Sequence, residues 1–219
     1  MMRIRYQVVD VFSTRPLAGN ALCVVLDPVP EPVQPALARE VNLSETTFPV
    51  VIADGEYEVR IFTPGKELPF AGHPTLGTAW VLGKQRWVQH SSGGWVVVEA
   101  DERRATMTQP VPAFEEVEAE PFVRAMGLAG AEAAWLCRIA GIHHVVVPTL
   151  SPIDRLDPDM IAVRRAAAAA GAEGVAPVRC VDDATLHTRV FVPGAGIAED
   201  PGTGSAAGVI GVVAHRQWS

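Results

Sequence analysis

An internal repeat constrains the fold of this chain more than any other feature. Residues 60–65 (RIFTPG) are matched by residues 189–194 (RVFVPG), and each segment leads to a glycine-containing turn and then to small apolar residues. The two turns are residues 71–75 (AGHPT) and 201–205 (PGTGS). The copies lie more than half the chain length apart, which is too far for a solenoid unit. The repeat therefore predicts two similar lobes whose corresponding elements face each other across a cleft.

The segments after the two turns predict two helices of an unusual kind. Residues 75–82 and 205–215 have no charged face, and a helix that is apolar all round is buried on all sides. In a chain of 219 residues, a sheet wrapped around such a helix is the simplest way to bury it. We therefore predict an α/β (α+β) fold with two pseudo-symmetric lobes, each a curved mixed sheet around a central apolar helix, at residues 1–112 and 113–219.

The remaining secondary structure follows from local patterns. A Pro- and Glu-rich stretch at residues 110–121 is expected to link the lobes, and Asp157 is expected to cap a helix with Pro158 in its first turn. Short helices are also expected near residues 36–41 and 121–126. Alternating or β-branched runs predict strands at residues 4–12, 21–26, 46–52, 57–62, 87–90, 95–99, 105–109, 144–148, 174–180 and 186–192.

Composition and charge exclude several classes of function. The formal net charge is −7, with 25 acidic against 18 basic residues, so no nucleic-acid partner is expected. No apolar run reaches the roughly 18 residues of a membrane span. The three cysteines, Cys23, Cys137 and Cys180, lack CxxC spacing. We therefore expect no disulfide, no metal site and a reducing, cytoplasmic location.

The two turns also predict where a ligand binds. A glycine before a helix N-terminus leaves bare backbone amides at the positive end of the helix dipole, which suits a carboxylate. Ser205, Thr203 and Thr75 can add hydroxyl donors. The chain has no GxxxxGK[ST] motif, and the glycines of residues 194–196 do not open a helix in a strand–helix–strand unit. A nucleotide cofactor is therefore not expected.

Individual acidic and histidine residues have competing interpretations at this stage. Glu45, between a helix end and a strand, is either a surface or capping acid or a functional group. His73 lies in a Gly-His-Pro turn, where a structural role competes with catalysis. Asp200 precedes Pro201 and either caps the next helix or points into a site. His143 and His144 begin a strand and are expected to be structural.

Five segments together resemble the PhzF-like isomerases of phenazine biosynthesis. They are residues 10–12 (DVF), 16–20 (PLAGN), 42–46 (NLSET), 70–75 (FAGHPT) and 199–206 (EDPGTGSA). They run from the first strand to the last helix in the order of that family. The resemblance implies a fold similar to diaminopimelate epimerase, with the active site between two lobes.

The resemblance also implies a reaction and its residues. Glu45 would act as general acid/base, and His73 and Asp200 would bind the substrate or share its proton. The reaction would need no metal or organic cofactor and would move a proton within a small, ring-bearing carboxylic acid. The related epimerases use two cysteines at places that the repeat aligns with His73 and Thr203, so a two-thiol mechanism is not expected. The implied substrate-binding residues are Asn20, Gly72, Thr75, Gly202, Thr203, Gly204 and Ser205.

The second lobe ends soon after its central helix, whereas members of the family continue for several strands. This predicts a shortened second lobe with an exposed sheet edge, a partly uncovered helix and a homodimer. Two alternatives remain open at this point. One is a catalytically inactive binding protein of the same fold, and the other is an epimerase or racemase of amino or hydroxy acids.

Overall fold

A computed structural model describes residues 3–139, 141–194 and 198–218 of the chain. The chain divides into two compact units, Met1–Gln109 and Pro110–Ser219. Each unit contains one mixed sheet with helices packed against it. Residues 195 and 196, part of the segment considered as a nucleotide loop, lie outside the described residues.

The first unit contains an eight-stranded sheet and two α-helices. Its path runs β1-β2-β3-β4-β6-β7-β8, with β5 paired to β4. The pairs β2–β3 and β4–β6 are parallel, and the other pairs are antiparallel. The elements are β1 (Tyr6–Val11), β2 (Asn20–Val25), α1 (Gln34–Val41), β3 (Glu45–Ala53), β4 (Glu56–Phe62), β5 (Glu67–Leu68), α2 (Gly72–Leu82), β6 (Arg86–Ser91), β7 (Gly94–Ala100) and β8 (Ala105–Met107).

The sheet of the first unit curls around α2, as the sequence predicts. Helix α2 contacts β1, β2 and β3 at one end of the path and β6, β7 and β8 at the other. Gly77 makes the closest approach: a Cβ at this position would lie 2.6 Å from Leu22 Cδ2 and 2.8 Å from Val11 Cγ2. The opposite face of the sheet packs against α1, around Phe48 and Phe62.

The second unit contains a seven-stranded sheet and three α-helices. Its path runs β15-β14-β12-β11-β10-β9, with β13 paired to β12, and the pair β11–β12 is parallel. The elements are β9 (Ala113–Val117), α3 (Glu120–Met126), β10 (Ala134–Ile139), β11 (Ile142–Pro148), α4 (Met160–Ala170), β12 (Gly174–Asp182), β13 (Thr185–Thr188), β14 (Val190–Phe191), β15 (Glu199–Asp200) and α5 (Gly204–Trp218).

Alternation along the strands of the second unit separates two apolar layers. On β11, Val145 and Val147 pack with α3 and α4, whereas Val146 between them packs with α5. Successive side chains of a strand point to opposite faces, so the sheet buries apolar residues on both faces. The first unit has the same arrangement, with α1 and α2 on opposite faces.

Two expectations about local structure are corrected. The stretch of residues 110–121 is not only a linker, because it contains β9, which pairs with the unpredicted strand β10. The helix expected from Asp157 begins at Met160, and Asp159 caps it by accepting hydrogen bonds from the amides of Ile161 and Ala162. Asp159, two residues after Asp157, is therefore the residue that caps the helix.

The prediction that both central helices are buried on all sides is only partly right. Helix α2 exposes Trp80, and α5 exposes Ala207, Gly211 and His215, which lie one turn apart along one face. One face of α5 is therefore exposed. None of the helices in the described part of the chain has the length and apolar character that a membrane crossing requires.

Candidate active site

The repeat motif forms the same arginine–glutamate–phenylalanine cluster in both units. In the first unit, Arg60 donates hydrogen bonds of 2.8 and 2.7 Å to the carboxylate of Glu67 and stacks at 5.0 Å on Phe62. In the second, Arg189 binds Glu199 and lies 5.0 Å from the Phe191 ring. The glutamate faces the phenylalanine across a short antiparallel pair in each case. This cluster joins the two strands of the hairpin that precedes each central helix.

The glutamates of the two clusters correct the alignment between the two turns that was based on sequence. Glu67 precedes Gly72 by five residues, Glu199 precedes Gly204 by five residues, and these glycines are the first residues of α2 and α5. His73 therefore corresponds to Ser205. The sequence match had instead aligned His73 with Thr203. The difference arises because the β14–β15 hairpin is longer than the β4–β5 hairpin.

In the first unit, the structure brings together Glu45 and His73. The two atoms Glu45 Oε2 and His73 Nε2 lie 3.1 Å apart, and their side chains are 15% and 6% exposed. Glu45 is the first residue of β3, and His73 is the second residue of α2. A carboxylate and an imidazole at this distance, largely shielded from water, can exchange a proton.

The local backbone explains how Glu45 and His73 reach these places. Asn42 ends α1 in the left-handed conformation, with a φ of 54°, which turns the chain so that β3 begins at Glu45. Beside His73, the ring of Phe12 makes an edge contact at 6.4 Å. Gly19 is required by the loop between β1 and β2, since a Cβ there would lie 2.4 Å from the Val11 carbonyl oxygen.

The other predicted residues of the first unit are buried. Asn20 is the first residue of β2 and is 1% exposed, and Gly72 is the buried first residue of α2. The hydroxyl of Thr75 donates to Ala71 O at 2.9 Å and accepts from Gln89 Nε2 at 2.9 Å. Thr75 thus holds the start of α2, and this geometry gives no support to the expectation that its hydroxyl binds a substrate.

In the second unit, Asp200 organises the turn before α5. Its carboxylate accepts a hydrogen bond from the Thr203 hydroxyl at 2.7 Å and from the Gly202 amide at 3.3 Å. The Thr203 carbonyl in turn accepts from the amides of Ala206 and Ala207. Three of the predicted residues, Asp200, Gly202 and Thr203, therefore form one hydrogen-bonded turn that leads into Gly204 and Ser205.

The Ser205 hydroxyl has a partner that sequence analysis missed. Its Oγ lies 2.8 Å from Nε2 of His144 on β11, and His144 is 2% exposed. Burial lowers the pKa of His144 to about 4, against opposing contributions from Glu173 and Asp200. The expectation that His144 is structural is compatible with this burial, but it did not include the contact with Ser205. No local pattern could reveal this contact, because 61 residues separate the pair.

Metal chemistry, and thiol chemistry at the buried Cys23 and Cys137, gain no support from the described residues. Among them, no three His, Cys, Asp or Glu side chains lie close enough together to hold a metal ion. Burial raises the pKa of Cys23 and of Cys137 to about 11, so both are thiols at neutral pH. A reactive cysteine requires the thiolate.

Comparison with known proteins establishes the family. The phenazine biosynthesis-like (PhzC-PhzF) family profile matches residues 9–217. The chain belongs to this family. It is 35% identical to the trans-2,3-dihydro-3-hydroxyanthranilate isomerase of Pseudomonas aeruginosa over 97% of this chain and 81% of that protein. The predicted resemblance to PhzF-like isomerases is confirmed, and the chain is an isomerase of this family.

Solved structures agree with the fold. A PhzF-family protein of Enterococcus faecalis has a TM-score of 0.81 at 27% identity, over 98% of this chain and 84% of that one. A hydroxyproline epimerase of Agrobacterium vitis has a TM-score of 0.60 at 13% identity, over 99% of this chain and 78% of that one. The second likeness shows only the fold, and it confirms the predicted epimerase-like class.

Proposed function

We propose that the chain catalyses a cofactor-independent proton shift within a small, ring-bearing carboxylic acid, with Glu45 as the group that carries the proton. The observation behind this proposal is the 3.1 Å contact between Glu45 and His73 at the start of α2. The carboxylate is mostly buried, and a single general base can remove a proton from one carbon and then, in its protonated form, deliver a proton to another.

The chemistry needs only one mobile proton. The Glu45 carboxylate takes a proton from one ring carbon, and the electron pair of the broken C–H bond moves into the adjacent double bonds. The protonated Glu45, whose proton can exchange with solvent while the substrate is bound, then delivers a proton to a carbon at the far end of that conjugated system. Nothing is oxidised or reduced, and the enzyme returns to its initial state. His73 orients the Glu45 carboxylate and exchanges the proton with it.

We assign the carboxylate of the substrate to the start of α5. The dipole and amides of a helix N-terminus favour an anion, and α5 is 15 residues long. Ser205 supplies a hydroxyl there, and the turn built by Asp200, Gly202 and Thr203 holds the backbone in place. Asn20 and Gly72, both buried in the first unit, complete the proposed set of binding residues.

The substrate class follows from the relatives. The relative from Pseudomonas aeruginosa is named for trans-2,3-dihydro-3-hydroxyanthranilate, a six-membered ring that carries a carboxylate, an amino group and a hydroxyl. We propose that compound or a closely similar cyclic carboxylic acid as substrate. An epimerase would change only the configuration of one carbon, so the structure of the product separates the two reactions.

The test follows deuterium from solvent into trans-2,3-dihydro-3-hydroxyanthranilate by NMR. Wild type is expected to shift the double bonds and to incorporate deuterium at the carbon that gains the proton. Glu45→Gln should lower this rate by roughly 10²- to 10⁴-fold, the usual contribution of a general acid/base. Glu58→Gln, on an exposed face of β4, is the matched control and should retain the wild-type rate. Equal rates in wild type and Glu45→Gln would contradict the proposal.

A second arm tests the independence from metals. Prolonged dialysis against EDTA should leave the rate unchanged, because the proposed steps use only side chains of the chain. Loss of activity on dialysis, with recovery on adding one divalent metal, would show that the proton-shift mechanism described above is incomplete.

A further inference from the structure

The place that Glu45 occupies in the first unit is taken by Gly174 in the second. Glu45 begins β3 and pairs in parallel register with Leu22 of β2. Gly174 begins β12 and pairs in parallel register with His144 of β11. In both units these strands are followed in the sheet by the strand of the repeat motif. The second unit therefore lacks a carboxylate at this place.

The imidazole of His144 uses the space that the glycine leaves. A Cβ at Gly174 would lie 2.6 Å from His144 Nδ1 and 3.1 Å from Cε1, so any larger residue would displace the ring. The other side of the ring meets the central helix, where Nε2 lies 2.8 Å from Ser205 Oγ. A histidine of the second unit thus contacts the helix position that His73 occupies in the first.

The surroundings of the ring indicate which nitrogen carries the proton. Within the described residues, Nδ1 of His144 is buried and makes no hydrogen bond. A buried N–H without an acceptor is rarer than an acceptor without a donor. In addition, the Cα hydrogen of Gly174 that replaces Cβ points at Nδ1, a contact that suits a lone pair and crowds an N–H. With its pKa lowered to about 4, the ring is neutral at pH 7 and carries its one proton on Nε2.

We infer that His144 is a positioning residue that donates its Nε2–H to Ser205 Oγ and so directs the Ser205 hydroxyl proton toward the carboxylate of the substrate. The inference rests on the proposed role of Ser205. A serine hydroxyl has one proton and two lone pairs. If His144 occupies a lone pair, the proton remains available to an anionic acceptor. With the opposite tautomer, His144 would accept that proton, and Ser205 would turn a lone pair toward the negative charge.

The tautomer can be tested without any substrate. In protein labelled with ¹⁵N-histidine, the imidazole signals of His144, identified by their loss in His144→Gln, should show an unprotonated Nδ1 and a protonated Nε2 at pH 7. A protonated Nδ1, or a doubly protonated ring, would overturn the inference. This measurement is independent of turnover, so its outcome is separate from that of the proposed function.

A double-mutant cycle tests the action on Ser205. With trans-2,3-dihydro-3-hydroxyanthranilate, Ser205→Ala and His144→Leu should each raise KM by about 10- to 100-fold, the size expected for a hydrogen bond to a charged group, with a smaller change in kcat. The double variant should be no worse than Ser205→Ala, because His144 acts through Ser205. If the increase in KM of the double variant equalled the product of the two single increases, His144 would have a general structural role, and the inference would be overturned.

Three further variants control for misfolding. His144→Gln keeps an N–H donor near the Nε2 position and should recover most of the loss in His144→Leu. Gly174→Ala should displace the ring and reproduce the loss while both His144 and Ser205 remain. His143→Leu, the neighbouring strand histidine whose ring bonds to Gly171 O, should leave KM within about twofold. No rescue by glutamine, with a folded protein, would count against the inference.

Discussion

Arg189 and Glu199 form a two-pronged pair, with Nε–Oε1 and Nη2–Oε2 distances of 2.8 and 2.6 Å. Arg189 also donates from Nη1 to Leu156 O at 2.7 Å. Glu199 is followed directly in the chain by Asp200, whose carboxylate organises the turn before α5. The arginine therefore connects β14 and the loop before α4 to the turn that carries the proposed binding residues.

Replacing this arginine tests that connection. Lysine cannot make two parallel hydrogen bonds to a carboxylate, so Arg189→Lys should lower the free energy of unfolding by about 1–2 kcal/mol after allowance for partial exposure to water. Urea unfolding measures the change. Arg138→Lys, at an exposed pair with Glu115, is the control and should change stability by less than about 0.5 kcal/mol. Equal effects would show that Arg189 is an ordinary surface residue.

Two helix glycines should respond in opposite directions to alanine. Gly77→Ala forces a methyl group against Leu22 and Val11, at 2.6 and 2.8 Å, and overpacking of this kind costs about 1–3 kcal/mol. Gly211 lies in α5, and a Cβ there meets nothing within 4 Å. Gly211→Ala should therefore gain up to about 1 kcal/mol from helix propensity. Thermal unfolding of both variants gives the sign, and a stable Gly77→Ala protein would contradict the close packing of α2.

Much of the fold could be predicted because its signals are local or periodic. The alternation in residues 57–62 and the apolar stretch at residues 205–215 each fix an element whatever the rest of the chain does. The repeat added the expectation of two similar units. The strand β10 escaped prediction because Ala134–Ile139 is a short apolar run, and periodicity alone does not distinguish such a run from a buried helix.

Residues of the candidate site could be predicted only where they belong to a recognisable sequence motif. Glu45 and His73 were proposed from segments 28 residues apart, and the fold brings them to 3.1 Å. His144 was missed because its role depends on the absence of a side chain at Gly174, and a glycine at the start of a strand has many explanations. The offset between the two turns was also hidden, since hairpin length alone decides it.

A buried chain of hydrogen bonds holds Thr75 near the start of α2. Gln89 is fully buried, and its Oε1 accepts from the Tyr57 hydroxyl at 2.8 Å while its Nε2 donates to Thr75. Gln89→Leu leaves the Tyr57 hydroxyl buried without its acceptor, so it should cost about 1–3 kcal/mol. Adding Tyr57→Phe should restore part of that loss, because the stranded hydroxyl is then gone. Urea unfolding of the single and double variants tests this, and simple additivity would contradict the chain.

The stability of the protein should depend on pH through His144. Its pKa falls from 6.5 to about 4 on folding, mainly because burial disfavours the charged ring. Below pH 6.5 the unfolded chain binds a proton at this residue that the folded chain does not. The stabilisation is therefore complete above pH 6.5 and is lost as the pH falls toward 4. The loss amounts to about 3 kcal/mol in total, at 1.36 kcal/mol per unit of pKa.

The comparison with His144→Gln isolates this contribution, since glutamine does not titrate and the carboxylates are common to both proteins. Between pH 7 and pH 4, the free energy of unfolding of wild type should fall by about 3 kcal/mol more than that of the variant. Urea unfolding at half-unit pH intervals provides both curves. Parallel curves would mean that the ring is protonated in the folded protein at the same pH as in the unfolded chain, and the neutral, buried imidazole beside Ser205 would then be excluded.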